Sequence, residues 1–244
     1  MDSFSMQYLE RTYRRNILKN NFISYHLNVR ETDLFISSDV ELKQAALQSI
    51  HRHRAHLEAY IAGHPDFLSS LSPLSHDDLA PDIVRDMLEA SRAVGVGPMA
   101  AVAGAMAQCV GQDLLSFTSN VIVENGGDIY LKCNQEIKIG VFAGESPLSN
   151  KLVIRIGAEE TPLGICTSSA TVGPSISLGR ADAVCVKASS ATMADAAATA
   201  IGNRVKSKKD IKKALDYGAE LKDIIGILII LGNELGVWGD IELI

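Results

Sequence analysis

The sequence predicts an α+β fold, because helical and strand patterns occur in blocks rather than in strict alternation. A hairpin pattern and three helical patterns fill the first half of the chain. The second half is rich in short strand patterns separated by Gly, Pro or Asn, with one alanine-rich helical pattern among them. We therefore expect mixed or antiparallel sheets packed with helices, and not a doubly wound sheet.

The composition is that of a globular protein with a sizeable core. The chain has 244 residues, of which 47% are hydrophobic and 21% charged, and its net charge is −6. A nucleic-acid partner is not expected, because such proteins normally present a basic face. None of the four cysteines belongs to a CxxC pair, and each lies in an apolar or strand-like run. We expect buried free thiols in a reducing compartment.

No targeting or membrane segment is predicted. The first residues, MDSFSMQYLERTYRR, lack the apolar core of a secretory signal. The longest apolar run, residues 224–231, is far shorter than the roughly 20 residues that span a bilayer. The expectation is a cytoplasmic, soluble protein without a membrane partner.

In the first half, residues 22–29 and 34–37 alternate between apolar and polar side chains and predict a hairpin. Ser38 or Asp39 is then expected to cap a long helix. A polar loop is predicted over residues 63–75. Two further helices are predicted at residues 81–93 and 99–110, the latter opened by Pro98.

In the second half, six short apolar segments read as strands. They are residues 120–124, 129–132, 137–142, 152–156, 163–166 and 183–187. The alanine-rich helix follows at residues 189–201, and a charged helix is predicted at 208–217. Residues 225–231 and 235–238 predict a closing hairpin.

The alanine-rich segment SSATMADAAATAI carries two polar side chains on one helical face. Ser190 or Thr192 is suited to cap the helix, and alanine is the best helix former. Asp195 and Thr199 are four residues apart, which stacks a carboxylate on a hydroxyl and provides half of a hard-cation site. Helix capping and packing explain the same pattern equally well, because an early Asp suits the helix dipole and Thr can bond back to a carbonyl.

Two loops add candidate ligand contacts. Glu124-Asn-Gly-Gly-Asp128 is most simply a tight hairpin turn, although its glycines would also let a ligand touch the backbone. The hydroxyl run Thr167-Ser-Ser-Ala-Thr171 suits phosphate binding and suits a self-bonded loop equally. Neither motif decides the matter alone.

The order of these motifs resembles the ApbE superfamily, the FAD-dependent protein FMN transferases. The resemblance rests on Gly97-Pro-Met-Ala-Ala, Asn125-Gly-Gly-Asp-Ile, Thr167-Ser-Ser and Ala194-Asp-Ala-Ala-Ala-Thr-Ala200, in that order. It covers residues 95–203 and is closest to a small branch that carries the phrase Ser177-Leu-Gly-Arg-Ala-Asp-Ala183. It implies a fold related to the tunnelling fold.

The resemblance also implies ligands and site residues. Members bind FAD and Mg²⁺ and transfer FMN to a hydroxyl of an acceptor protein. The implied magnesium ligands are Asp195, Thr199 and the carbonyl of Ala100. The implied flavin contacts are Gly126, Gly127 and Asp128, and the implied nucleotide contacts are Thr167 and Ser168.

Three departures bear on catalysis. The transferases carry a His-Asp-Pro-Thr-Gly phrase where residues 170–181 here hold no histidine. Their helix-start lysine is replaced by Ala101 or Val102, and Ser169 stands where the third motif residue is glycine. No catalytic residue is assigned, and Asp128 is the best of the weak candidates for a general base.

The sequence thus predicts an ApbE-like protein that binds FAD, FMN or another phosphate-bearing small molecule and transfers FMN from FAD with Mg²⁺. The alternative is a non-catalytic ligand-binding or assembly protein on the same fold. In that alternative the alanine-rich helix packs against another subunit and the carboxyl-terminal strands form a dimer edge. A homo-oligomer is expected. One domain is expected over residues 1–244, with residues 1–94 and 206–244 added to a core at 95–205.

Overall fold

A computed structural model describes residues 22–171 and 178–244. Helices cover one face of an eight-stranded antiparallel sheet, and a three-stranded antiparallel sheet packs on the other face. The predicted α+β fold is confirmed. The first residues, in which no secretory signal was predicted, and Ser177 of the phrase Ser177-Leu-Gly-Arg-Ala-Asp-Ala183 lie outside the described residues.

The large sheet joins strands from both ends of the described chain. Its order is β1-β2-β3-β4-β7-β8-β9-β10, and the small sheet has the order β11-β6-β5. The strands of the large sheet are β1 Ile23–Val29, β2 Thr32–Ser38, β3 Val121–Asn125, β4 Asp128–Lys132, β7 Leu163–Ser168, β8 Ala183–Ala188, β9 Ile224–Leu231 and β10 Glu234–Gly239. Those of the small sheet are β5 Ile137–Gly140, β6 Val153–Ile156 and β11 Glu242–Leu243.

Six α-helices are formed by the described residues. They are α1 Lys43–Gly63, α2 Asp66–Ser69, α3 Asp82–Val94, α4 Val102–Leu114, α5 Ala191–Gly202 and α6 Ile211–Ala219. A 3₁₀ turn, Pro98–Ala101, leads directly into α4, with the proline in its first turn as the sequence predicted.

Two local predictions were wrong. The first long helix begins at Lys43 with no side-chain cap. Ser38 Oγ donates instead to the Val40 carbonyl at 2.7 Å, and Asp39 accepts hydrogen bonds from Asn120 across the sheet. The expected polar loop contains α2, because the Phe67 ring is fully buried and anchors a helical turn.

Strand alternation divides the core into two parts. Val121 and Val123 of β3 belong to the helix-side core, whereas Ile122 between them packs toward the small sheet. Lys187 of β8 is buried among the small-sheet elements, where it pairs with Glu160 and with Asp240 Oδ2. This ion-pair cluster ties the end of the chain to the large sheet.

The alanine-rich helix α5 is the central helix of the molecule. Ser190 caps it by accepting from the Met193 amide at 3.2 Å, as predicted. Its alanines are buried against β7, β8 and neighbouring helices of the same chain. A Cβ at Gly164 would lie 2.2 Å from Ala191 Cα, so α5 rests directly on the backbone of β7. The expectation that this surface packs against another subunit is therefore wrong.

All four cysteines are buried and free, as predicted. Across residues 22–171 and 178–244, no single helix is long and apolar enough to span a membrane. Asp82–Val94 and Pro98–Leu114 reach that length and apolar composition only together, and they are bent by 104° at the break between them.

Candidate functional site

Asp195 binds the amino-terminal end of α4. Its Oδ2 accepts a hydrogen bond from the Gly104 amide at 2.9 Å, and the Ala103 amide also donates to its carboxylate. These amides belong to the first turn of α4, where backbone N–H groups have no partner inside the helix. Asp195 therefore caps α4 from a different helix, and the polar face predicted for α5 points at another element's positive end.

Gly104 makes this contact sterically possible. A Cβ at this position would lie 2.2 Å from the Ala191 carbonyl oxygen and 2.8 Å from Asp195 Cβ. Any side chain here would push α4 away from α5. The glycine thus sets the distance between the helix amides and the carboxylate.

The same hydrogen bond affects the Ala100 carbonyl. In a continuous α-helix the Gly104 amide would donate to this carbonyl four residues earlier. It donates to Asp195 instead, and residues Pro98–Ala101 form a 3₁₀ turn. Ala100 is half-buried, and its carbonyl oxygen lacks the hydrogen bond that the Gly104 amide would donate to it in an α-helix.

Asp128 brings a second carboxylate to the helix-covered face of the sheet. It follows the turn formed by Gly126 and Gly127, whose φ angles of 75° and 135° require glycine. The segment is therefore a hairpin turn, as the simpler interpretation predicted. Asp128 lies opposite Cys166 in the register of β4 and β7. Its carboxylate accepts from the Thr167 amide, and the Cys166 thiol beside it donates to the Ala191 carbonyl at 3.3 Å.

The charge of Asp195 adds to the cost of ionising Asp128, and burial raises the pKa of both carboxyls. Burial raises the pKa of Asp128 well above its usual value, and the neighbouring charges of Asp195 and Glu124 raise it further. Burial raises the pKa of Asp195 to about 7, although hydrogen bonds from Gly104 and Ala103 oppose the shift. A cation placed between such groups would relieve both the repulsion and the loss of hydration.

The structure brings only some of the remaining predicted residues to this pair. Thr199 is half-buried one helical turn beyond Asp195. Ser168 Oγ lies 3.8 Å from the position of a Cβ on Gly202, which places it under the carboxyl-terminal end of α5. The Thr167 hydroxyl hydrogen-bonds Cys185 on the opposite face of the sheet, so only the Thr167 backbone reaches the pair.

Sequence reasoning missed three residues of this site. Cys166 and Gly104 contact the two carboxylates, and Asn125 Nδ2 donates to the Ala103 carbonyl at 3.2 Å. A glycine inside a helical pattern was a usable signal for close approach at Gly104. In the described part of the chain, no cluster of three or more His, Cys, Asp or Glu side chains is arranged to hold a metal. A cation here would therefore need hydroxyl, carbonyl and water ligands as well.

A basic cavity of about 540 Å³ lies beyond the ends of β7 and α5. Thr171, Arg180 and Lys206 supply its polar lining, completed by Ala170, Gly179 and Leu231. No ion pair to Arg180 or Lys206 is formed by the residues that the structure describes. Cationic side chains and a hydroxyl in one cavity suit a phosphate-bearing molecule.

Comparison with known proteins identifies relatives over most of the chain. The family described as "AbpE bacteria" matches residues 15–237. A UPF0280 protein of Methanocella arvoryzae is 41% identical over 213 residues, which make up 86% of each chain. A UPF0280 protein of Methanosarcina acetivorans is 38% identical over 222 residues, covering 90% of this chain and 87% of its own length.

Solved structures share the fold at low sequence identity. The flavinyl transferase ApbE of Pseudomonas stutzeri superposes with a TM-score of 0.57 and 13% identity, covering 89% of this chain and 93% of its own. A variant of the flavin transferase ApbE of Vibrio cholerae gives 0.54 and 14%, with coverage of 90% and 97%. The chain therefore belongs to the ApbE-like family described as AbpE bacteria, together with the UPF0280 proteins that resemble it.

Proposed function

We propose that this protein binds FAD at the Asp128–Asp195 pair and, with Mg²⁺, transfers its FMN part to a hydroxyl of an acceptor protein. The observation that carries the proposal is the pair itself: two half-buried carboxylates whose pKa values are raised, one of which binds the first-turn amides of α4. The names of the two structural neighbours, flavinyl transferase and flavin transferase, support the choice of a flavin.

The residues fit a magnesium ion. Magnesium takes one or two carboxylates and keeps several waters, so Asp195, the Thr199 hydroxyl and the Ala100 carbonyl form a sufficient set of protein ligands. Bound Mg²⁺ would stabilise the negative charge that develops on the pyrophosphate oxygens. The diverted Gly104 amide is the structural observation behind the choice of the Ala100 carbonyl.

The flavin ring and the nucleotide of FAD would contact different parts of the site. Gly126 and Gly127 would let the flavin approach the backbone of the β3–β4 turn. Ser168 and the Thr167 amide, beyond which the basic cavity opens, would contact the nucleotide. Asp128, whose pKa is raised by burial and by the charge of Asp195, is the carboxylate that would accept a proton from an acceptor hydroxyl.

The test is AMP release from FAD. Purified protein with FAD and Mg²⁺ should bind flavin, measured by fluorescence quenching, and release AMP when an acceptor peptide rich in Ser and Thr is supplied. Asp195→Asn keeps an oxygen for the Gly104 amide but removes the charge, and we expect Mg²⁺-dependent FAD binding to fall at least 10-fold. Asp216→Asn, on the exposed surface of α6, is the matched control. Absence of binding to any flavin or nucleotide would contradict the proposal.

The second candidate is a non-catalytic ligand-binding or assembly protein. It is favoured by residues 170–181, which hold no histidine, and by the absence of lysine at Ala101 and Val102. Flavin binding that depends on Asp195 but yields no AMP with any acceptor would select this candidate.

A further inference from the structure

A second cavity, of about 260 Å³, lies at the amino-terminal end of α5. Asp86 and Glu89 of α3 and Asp223 before β9 contribute carboxylates to its lining. The lining is completed by Ala90, Gln108, Ser189, Ser190, Thr192 and Met193. Neither Asp128, Asp195 nor Thr199 is among these residues, so the flavin proposal does not use the cavity.

The charge of this cavity is not neutralised by the described residues. None of the ion pairs in residues 22–171 and 178–244 involves Asp86, Glu89 or Asp223. Arg85, whose charge acts on Asp86, is paired with Asp82. Burial together with the charges of Asp82 and Glu89 raises the pKa of Asp86, and the opposing charge of Arg85 only reduces this shift.

The helix dipole does not account for three carboxylates. The amino-terminal end of a helix carries roughly half of a positive elementary charge, and one acidic side chain would be enough to complement it. The cavity therefore keeps an excess of negative charge when its three carboxylates are ionised.

Thr192 supplies an independent sign of a ligand. The residue lines the cavity and is only 2% exposed, yet its Oγ1 makes no hydrogen bond within the described part of the chain. Buried hydroxyls are nearly always hydrogen-bonded, because an unpartnered one keeps the full cost of lost hydration. Thr192 is one of the residues that line the cavity, and no protein group in the described part of the chain supplies the missing partner.

We propose that this cavity binds a small organic cation with a primary ammonium group. An ammonium donates three hydrogen bonds and matches carboxylate and hydroxyl acceptors. A bare metal ion suits the site less well, because the described residues hold no metal-ligating cluster and the volume far exceeds the roughly 30 Å³ of one water. Ala90 and Met193 provide apolar walls for a short hydrocarbon chain.

Calorimetric titration with putrescine tests this proposal, with 1,4-butanediol as the uncharged analogue of the same length. We expect putrescine to bind and the diol to bind at least 10-fold more weakly. Glu89 is exposed, so Glu89→Gln should leave the fold intact and weaken putrescine binding about fivefold or more. Glu220→Gln, on the exposed end of α6, is the control and should change nothing.

Thr192→Val tests whether the Thr192 hydroxyl contacts the ligand or whether the residue only forms part of the cavity wall. The substitution keeps the shape and removes the hydroxyl, and we expect weaker putrescine binding with unchanged or higher thermal stability of the free protein. Equal binding of diol and diamine, no binding of either, or binding unaffected by Glu89→Gln would overturn the proposal. Tight binding of Mg²⁺ alone with the same Glu89 dependence would overturn it in favour of a metal site.

Discussion

At the scale of single residues, the molecule brings two acidic side chains together at a cost to its stability. Asp128 and Asp195 are 67 positions apart in the chain, and the charge of Asp195 raises the pKa of Asp128. Stable proteins normally pair buried charges with opposite ones, and unfavourable arrangements concentrate at functional sites. The pair is therefore the strongest residue-level sign of function in this chain.

Asp128→Asn should stabilise the metal-free protein at high pH. A carboxyl whose pKa is raised on folding contributes stability that is fully present below its unfolded pKa and is lost as pH rises through the folded value. For Asp195 that loss is complete above about pH 7. Asp128→Asn removes the second carboxyl beside Asp195 and should raise the free energy of unfolding by about 1–3 kcal/mol at pH 8.5, since one pKa unit is worth about 1.4 kcal/mol.

Urea unfolding in EDTA at several pH values measures this effect. The difference between Asp128→Asn and the unchanged protein should shrink toward pH 4.5, where both carboxyls are protonated in the folded state. Asp216→Asn serves as the exposed control. A stabilisation that is independent of pH would show that the two carboxylates do not repel each other.

At the scale of elements, the sequence predicted most helices and strands because their periodic patterns match the faces that they bury. Helix α5 is the clearest case, since Ser190 caps it and its alanines allow close packing. The start of α1 was mispredicted because the hydroxyl and carboxylate of Ser38 and Asp39 bond elsewhere. Close packing of the alanines was one of the interpretations left open, and it is confirmed; packing against another subunit is contradicted, since a surface suited to close approach does not say which element approaches.

Gly104→Ala tests the contact between α4 and α5. An added methyl group would lie 2.2 Å from the Ala191 carbonyl oxygen, so the helices must separate. We expect a loss of about 1–3 kcal/mol in unfolding free energy, as for other overpacked sites. Gly63→Ala in α1 is the control, because a Cβ there meets nothing within 4 Å. Retained stability and unchanged Mg²⁺ binding in Gly104→Ala would contradict the proposed role of this glycine.

At the scale of the whole molecule, the site could not be derived from local patterns. It joins the start of α4, the β3–β4 turn, the end of β7 and the middle of α5, and only the order of strands in the large sheet makes them neighbours. The resemblance to a known family predicted Asp195 and Asp128 as neighbours of one ligand, whereas spacing predicted only Asp195 with Thr199. The extent of one domain over residues 1–244 and the oligomeric state stay predictions.

The edge strand β10 leads us to expect a dimer. Among residues 22–171 and 178–244 it pairs only with β9, and Leu235 and Val237 on it are 42% and 40% exposed. Natural sheets protect such edges with Lys, Pro or bulges, and the segment ELGVWG contains neither Lys nor Pro. A second copy pairing β10 with β10 in antiparallel orientation would bury both side chains and satisfy the open backbone groups.

Light scattering should then give twice the chain mass of 26.2 kDa. Val237→Lys should shift the protein to the monomer, whereas Leu79→Lys, at a side chain 96% exposed away from the edge, should not. A monomer at all concentrations, or dissociation by both substitutions alike, would rule out this edge as the interface.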